Sequence, residues 1–328
     1  MHVNPSTIVK DRPALNWLVP LIALLALIAS GTGLFSQGGD GPYFFTTLRG
    51  QTVEIYGRGL YRYDTLFSGA AFRGVDAVVL FMSLPLLAFS FIRHRRGSLR
   101  GTILLSGALS YLLYIGVSMT FGAAFNRLFL VYTALFSASL VALILTLSAI
   151  DMARLPGRIA AQLPRRATAL FLCVAGLGTL LLWMSELVGP VLGRGVPELL
   201  GPYTTMSSHG LDSATVTPAA VVAGLYLWRR KAAGYLLAPP LLVLCILNGL
   251  NVLAQTASQT LAGIIFPPAV YIGMVGSWVV MGLVAIWLAI AFFRSVREAP
   301  PGSRLKELSG SRHSDRGAEK SSTPLPLG

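Results

Sequence analysis

The chain has 328 residues, of which 54% are apolar and only 12% charged, and it carries a net charge of +13. Its mean hydropathy is +0.67. A soluble domain carries about 25% charged residues, so this composition excludes a soluble enzyme, a disordered chain, a nucleic-acid-binding module and a disulfide scaffold, and leaves a multi-pass membrane protein.

A membrane-crossing helix needs about 20 mostly apolar residues. Eight stretches meet that length in whole or part, near Ala14–Phe35, Val75–Ile92, Thr102–Phe121, Leu128–Ile150, Thr168–Val188, Leu211–Trp228, Gly234–Gln259 and Val270–Phe293. Backbone groups in hydrocarbon find no water, so each must be a helix. The expected fold is an all-α polytopic bundle of about eight transmembrane helices over 1–293, with outer loops 36–74 and 189–210. The tail 294–328 is rich in Pro, Gly, Ser and charge, which predicts a disordered cytoplasmic segment. Lys10 and Arg12 ahead of the first apolar run resemble a signal-peptide start. The run is long and no clean A-x-A site follows, so an uncleaved first helix is expected.

Charge orients the spans. With the N-terminus inside, 20 Lys and Arg fall on inner segments and six on outer ones, which places both termini in the cytoplasm. The basic inner loops favour anionic lipid headgroups as partners. Their position beside membrane ends argues against nucleic acid. Cys173 and Cys245 both fall inside spans and read as small core residues.

In the first outer loop, Gln51–Tyr56 and Leu60–Asp64 flank Gly57-Arg58-Gly59, a pattern that predicts a β-hairpin turning at those glycines. Tyr56, Tyr61 and Tyr63 are expected to pack it on the helix ends at headgroup level. No internal repeat of the kind found in many transporters is visible.

Ionisable and amide groups are costly in a membrane and therefore informative. Asp76 is expected to open the second helix, paired with Arg73 or acting as a cap. Asn126 and Arg127 form the turn between helices three and four. Glu186 falls near the outer end of helix five. His209 leads into helix six, where Asp212 is placed to cap it. On helix seven, Asn248, Asn251, Gln255 and Gln259 are spaced three, four and four apart, which puts them on one face. Tyr111, Tyr114 and Ser118 make a similar stripe on helix three. These groups favour the outer half. They predict a polar cluster there, lined by Asp76, Tyr114, Asn126, Arg127, Glu186, His209, Asp212, Asn248, Asn251 and Gln255. The same amides and tyrosines can instead hold helices together. Pro85, Pro218, Pro239 and Pro240 fall in or near spans and can kink them. Gly176, Gly178, Gly273 and Gly276 are expected to allow close packing.

The run from Arg95 to Ile144, RRGSLRG…AFNRLFLVY…, resembles a recurring block in bacterial multi-pass membrane proteins that joins an inner basic loop to a helical hairpin. The piece from His209 to Pro239, HGLD…LWRR…GYLLAP, resembles a second block of the same proteins, and Asp76 ahead of LPLL fits as well. The resemblance covers roughly helices two to seven. It implies a bacterial cytoplasmic membrane and brings no activity, substrate or catalytic residue.

Three readings follow. The first is a protein that binds or passes a small polar solute through an outer-half site. The second is a non-catalytic membrane scaffold or sensor. The third is a membrane-embedded enzyme using His209, Asp212 and Glu186 as an acid–base or metal-binding set. No H-E-x-x-H, G-x-S-x-G or Walker loop occurs, so no motif names a cofactor.

Overall fold

The apolar runs form eight helices, each long and apolar enough to cross a membrane: α1 (Leu15–Phe35), α2 (Leu66–Arg95), α3 (Leu99–Gly122), α4 (Phe129–Ala149), α5 (Arg165–Val191), α6 (Ser207–Trp228), α7 (Ala232–Leu261) and α8 (Pro268–Ser295). The structure is a computed structural model that describes residues 8–298, so the tail expected to be disordered lies outside the described residues. Successive helices run up and down between two ends. One end carries the Arg-rich turns, the other a small two-stranded sheet; they are called the basic end and the hairpin end below. The chain through Val296 is one compact unit, an all-α polytopic bundle as the composition predicts.

Six helix boundaries fall close to expectation, and two start earlier. α2 begins at Leu66, where the Thr65 hydroxyl accepts a hydrogen bond from the Ser68 N–H (3.1 Å) and so caps the first turn. Its first residues, LFSGAAFRG, are too small and polar to score as a span. They are helical because they pack: a Cβ on Gly74 would lie 2.5 Å from the Ala254 backbone of α7. Asp76 is therefore inside a helix and does not cap it. Likewise α6 begins at Ser207 and places Asp212 within the helix, with no capping bond from its side chain.

The hairpin is real but its register differs from expectation. β1 (Tyr43–Thr46) pairs antiparallel with β2 (Thr52–Ile55), from Tyr43 opposite Ile55 to Thr46 opposite Thr52. The turn lies at Thr47–Gln51, closed by a Thr47 N–H to Gln51 C=O bond of 2.8 Å. Gly57 and Gly59 do not make the turn. Both hold left-handed backbone (φ +65° and +58°), and an added Cβ would strike the Gly41 and Ser36 carbonyls. These glycines let the chain cross back over residues 36–41, so Leu60–Asp64 is not a strand. Tyr56 and Tyr61 are buried with Leu60 and Ala70 against the helix ends, whereas Tyr63 is exposed.

Helices α3 and α7 are central, with 67% and 56% of their apolar windows buried against 22–39% for the others. Small residues let them approach their neighbours, as membrane helices do. A Cβ on Gly116 of α3 would meet the Phe136 backbone of α4 at 2.8 Å. Gly176 packs as expected on Ala220, but Gly178 and Gly273 face open space. Gly178 and Gly276 instead border a wide apolar cleft of about 810 Å³ between α5 and α8. Its only polar lining residues are Thr179 and Ser277 besides Trp278, so it suits hydrocarbon. Wide π-turns interrupt α2 at Val79–Ser83 and α6 at Asp212–Val216. Each is followed by a proline, Pro85 or Pro218. Proline lacks an N–H and crowds the preceding turn, and widening that turn relieves the clash.

Candidate functional site

At the hairpin end, α2, α3, α6 and α7 diverge beneath the loop that carries Tyr203. Between them is a partly enclosed cavity of about 200 Å³. α3 contributes Tyr114 and Ser118, and α7 contributes Asn251 and Gln255 one turn apart. The start of α6 contributes His209, while Phe67 and Phe72 of α2 and Tyr203 of the covering loop add aromatic walls.

Four of the ten candidates, Tyr114, His209, Asn251 and Gln255, thus line one cavity. Two more stand directly behind it. Glu186 Oε2 lies 2.9 Å from His209 Nε2. Asp212 accepts a 3.0 Å bond from Trp183 Nε1. The Trp183 ring packs against His209 at a tilt of 42°, with centroids 4.0 Å apart, so one aromatic side chain connects the two acidic contacts. Asn248 sits a turn deeper on α7. Its Oδ1 accepts from Asn251 Nδ2 (3.3 Å), and it borders a void of about 30 Å³ shared with Asp212 and Cys245.

The other three candidates lie elsewhere. Asp76 is buried, 3% exposed, and forms a separate cluster. It accepts a 2.7 Å bond from the Tyr61 hydroxyl and interacts with Ser30 of α1. Arg73 does not pair with it; the guanidinium donates to the Tyr56 hydroxyl (2.9 Å) and the Leu34 carbonyl (3.0 Å). Asn126 shapes its own turn, donating to the Ala124 carbonyl and accepting from the Leu128 N–H. Arg127 is exposed. The trio of His209, Asp212 and Glu186 does not form a metal-holding group. Among the described residues no three His, Cys, Asp or Glu side chains do, because Asp212 is turned toward Trp183.

The helix-seven stripe divides by depth. The Tyr111 hydroxyl donates to Asn251 Oδ1 (2.8 Å) and joins α3 to α7. Gln259 Nε2 donates to the Phe67 carbonyl of α2 (3.1 Å). Between these two fasteners, Gln255 faces the cavity and makes no side-chain hydrogen bond among the described residues.

The roof is held by a residue that patterning alone did not single out. Asp64, 1% exposed, accepts from the Tyr203 hydroxyl (2.9 Å) and the Ala124 N–H (2.7 Å), both on Oδ1. It thereby ties three separate loops together. Burial is the main influence and pushes its carboxyl up from 3.8 to about 6, while the two donors oppose the rise. Burial likewise raises the Tyr203 hydroxyl, with Asp64 adding to it. Tyr61, Trp183 and Tyr203 were also missed as site residues. Aromatics in loops and at helix ends read as interface anchors, and nothing local marks a hydroxyl or indole that reaches a distant carboxylate.

No protein-family model, curated protein or solved structure matches this chain. The fold and the cavity define it as a polytopic membrane protein with a polar chamber in one half of its bundle.

Proposed function

We propose that this protein binds or passes a small polar solute at the hairpin end of the bundle. That end faces the outside of a bacterial cytoplasmic membrane, and both termini are cytoplasmic. The observation that carries the reading is the cavity of about 200 Å³ lined by Tyr114, Ser118, His209, Asn251 and the unbonded Gln255. Amides that serve only as helix fasteners have partners, as Gln259 does. An unbonded amide beside hydroxyls, in a volume with room for about seven waters at about 30 Å³ each, suits a solute of similar size. The distribution of 20 basic residues against six supports the orientation, with the basic turns resting on anionic headgroups.

Untargeted mass spectrometry of the protein purified in nanodiscs tests the reading. A small polar compound is expected with the parent and is lost in Ser118→Phe, which fills the cavity. If the parent carries no such compound and shows no saturable uptake from a mixed pool of polar metabolites in equilibrium dialysis, the reading fails.

A further inference from the structure

Two polar side chains that line the cavity each touch a carboxylate that does not line it, and a third lies in the field of another. Tyr203 donates to Asp64 at 2.9 Å. Tyr114 lies in the field of Asp212. His209 Nε2 lies 2.9 Å from Glu186 Oε2. The three acids come from the first outer loop, α6 and α5, so the arrangement is not a single acidic run. No Lys, Arg, Asp or Glu side chain is part of the lining. Arg49 Nη1 donates to the Tyr203 backbone carbonyl (3.2 Å) from the exposed loop, and Arg73 is held by Tyr56 and Leu34.

This arrangement has two chemical consequences. First, the Tyr203 hydroxyl proton is committed to Asp64 (2.9 Å) and its oxygen accepts from the Thr65 N–H (3.3 Å), so this hydroxyl has no proton left to donate to an anion. A carboxylate on His209 Nε2 likewise fixes the imidazole with Nδ1 away from Glu186. Second, an anion in the cavity would face three acidic groups with no Lys or Arg in the wall and with the one titratable base there, His209, already paired with Glu186. A cation would gain from the same field. The lining also holds four aromatic side chains, Phe67, Phe72, Tyr114 and Tyr203, and aromatic rings attract cations through their negative quadrupoles.

We propose that the cavity takes a small organic cation of the alkylammonium class, held by the aromatic side chains of the wall and by the field of the buried Asp64 and Asp212 and the exposed Glu186 outside it. This rests on the solute-site reading above and names the ligand's chemistry.

Ser118→Cys, with Gln255→Cys as a second position should the first fail to fold, places a thiol in the cavity wall of the full-length protein in nanodiscs. Each variant is treated with a cationic trimethylammonium-ethyl and an anionic sulfonato-ethyl methanethiosulfonate. Rates are normalised to those with a free thiol, and the parent with Cys173 and Cys245 sets the background. The cationic reagent is expected to react at least about tenfold faster than the anionic one, and Glu186→Gln to narrow that ratio. A choline-sized quaternary ammonium should slow the labelling, whereas its neutral carbon isostere should not. Equal rates for the two reagents, or equal protection by the isostere, would overturn the cation assignment and leave the solute site standing. Failure of both reagents to label either folded variant would overturn both.

Discussion

Gly33 of α1 faces the buried Asp76–Tyr61 contact. A Cβ at this position would lie 1.9 Å from Asp76 Oδ2 and 2.6 Å from the Tyr61 hydroxyl, which are themselves 2.7 Å apart. Gly33→Ala must push that pair aside. Overpacking of this kind costs about 1–3 kcal/mol, and breaking a buried hydrogen bond to an ionisable group costs about 1.5–3 kcal/mol more. The expected loss is about 3–5 kcal/mol. In an Asp76→Ala background the Asp76 oxygen and its carboxyl carbon are gone, and the Tyr61 hydroxyl is free to swing away. There Gly33→Ala should cost about 1 kcal/mol or less, giving a coupling of at least about 2 kcal/mol. Equilibrium denaturation of the four proteins in mixed micelles measures the cycle. Costs that add to within about 0.5 kcal/mol would refute the assignment of Gly33 as the space for the Asp76–Tyr61 contact.

Further outcomes follow from single contacts. The Asp64 carboxyl is raised in the folded protein from 3.8 to about 6, so the native state keeps its proton where the unfolded chain has lost it. Its contribution to stability is full below pH 4, falls as the pH rises through 6, and then levels off, a change on the order of 3 kcal/mol. Melting temperatures between pH 4 and 7.5 should show this decline, and Asp64→Asn should flatten it; an unchanged slope in the variant would count against burial as the cause. Trp183→Phe keeps an aromatic ring beside His209 but removes the N–H bonded to Asp212, and should destabilise by about 1–3 kcal/mol in the same denaturation assay. Gly234→Ala would set a Cβ 2.2 Å from the Leu227 backbone nitrogen and should cost about 3 kcal/mol. Gly178 has open space around it, so Gly178→Ala should leave stability unchanged or raised by up to about 1 kcal/mol.

The residues of the cavity were more legible than their roles. Asn251, Gln255 and Tyr114 could be found because helical spacing puts amides and hydroxyls on inward faces, and lipid gives them nowhere else to turn. Asn126 and Arg127 belonged to the same region by depth, yet one is spent on its own turn and the other is exposed. Asp76 was marked as costly but misplaced, because the first turns of α2 are too polar to score as a span. They are made helical by packing on α7. Asp64 carried no pattern at all, since its partners are 60 and 139 residues away in the chain.

Composition and period alone determined the solvent, the number of crossings and the inward face of each central helix. Those properties are local: each depends on the cost of moving one stretch of about 20 residues from water into hydrocarbon. Tertiary structure decided which inward groups meet. It closed Asp76 against Tyr61 rather than Arg73, set Asp64, Asp212 and Glu186 behind a wall of aromatic and amide side chains, and moved the hairpin turn from Gly57-Arg58-Gly59 to Thr47–Gln51. Such choices depend on which helices lie side by side and how closely their backbones approach, and no local window of the chain contains that information.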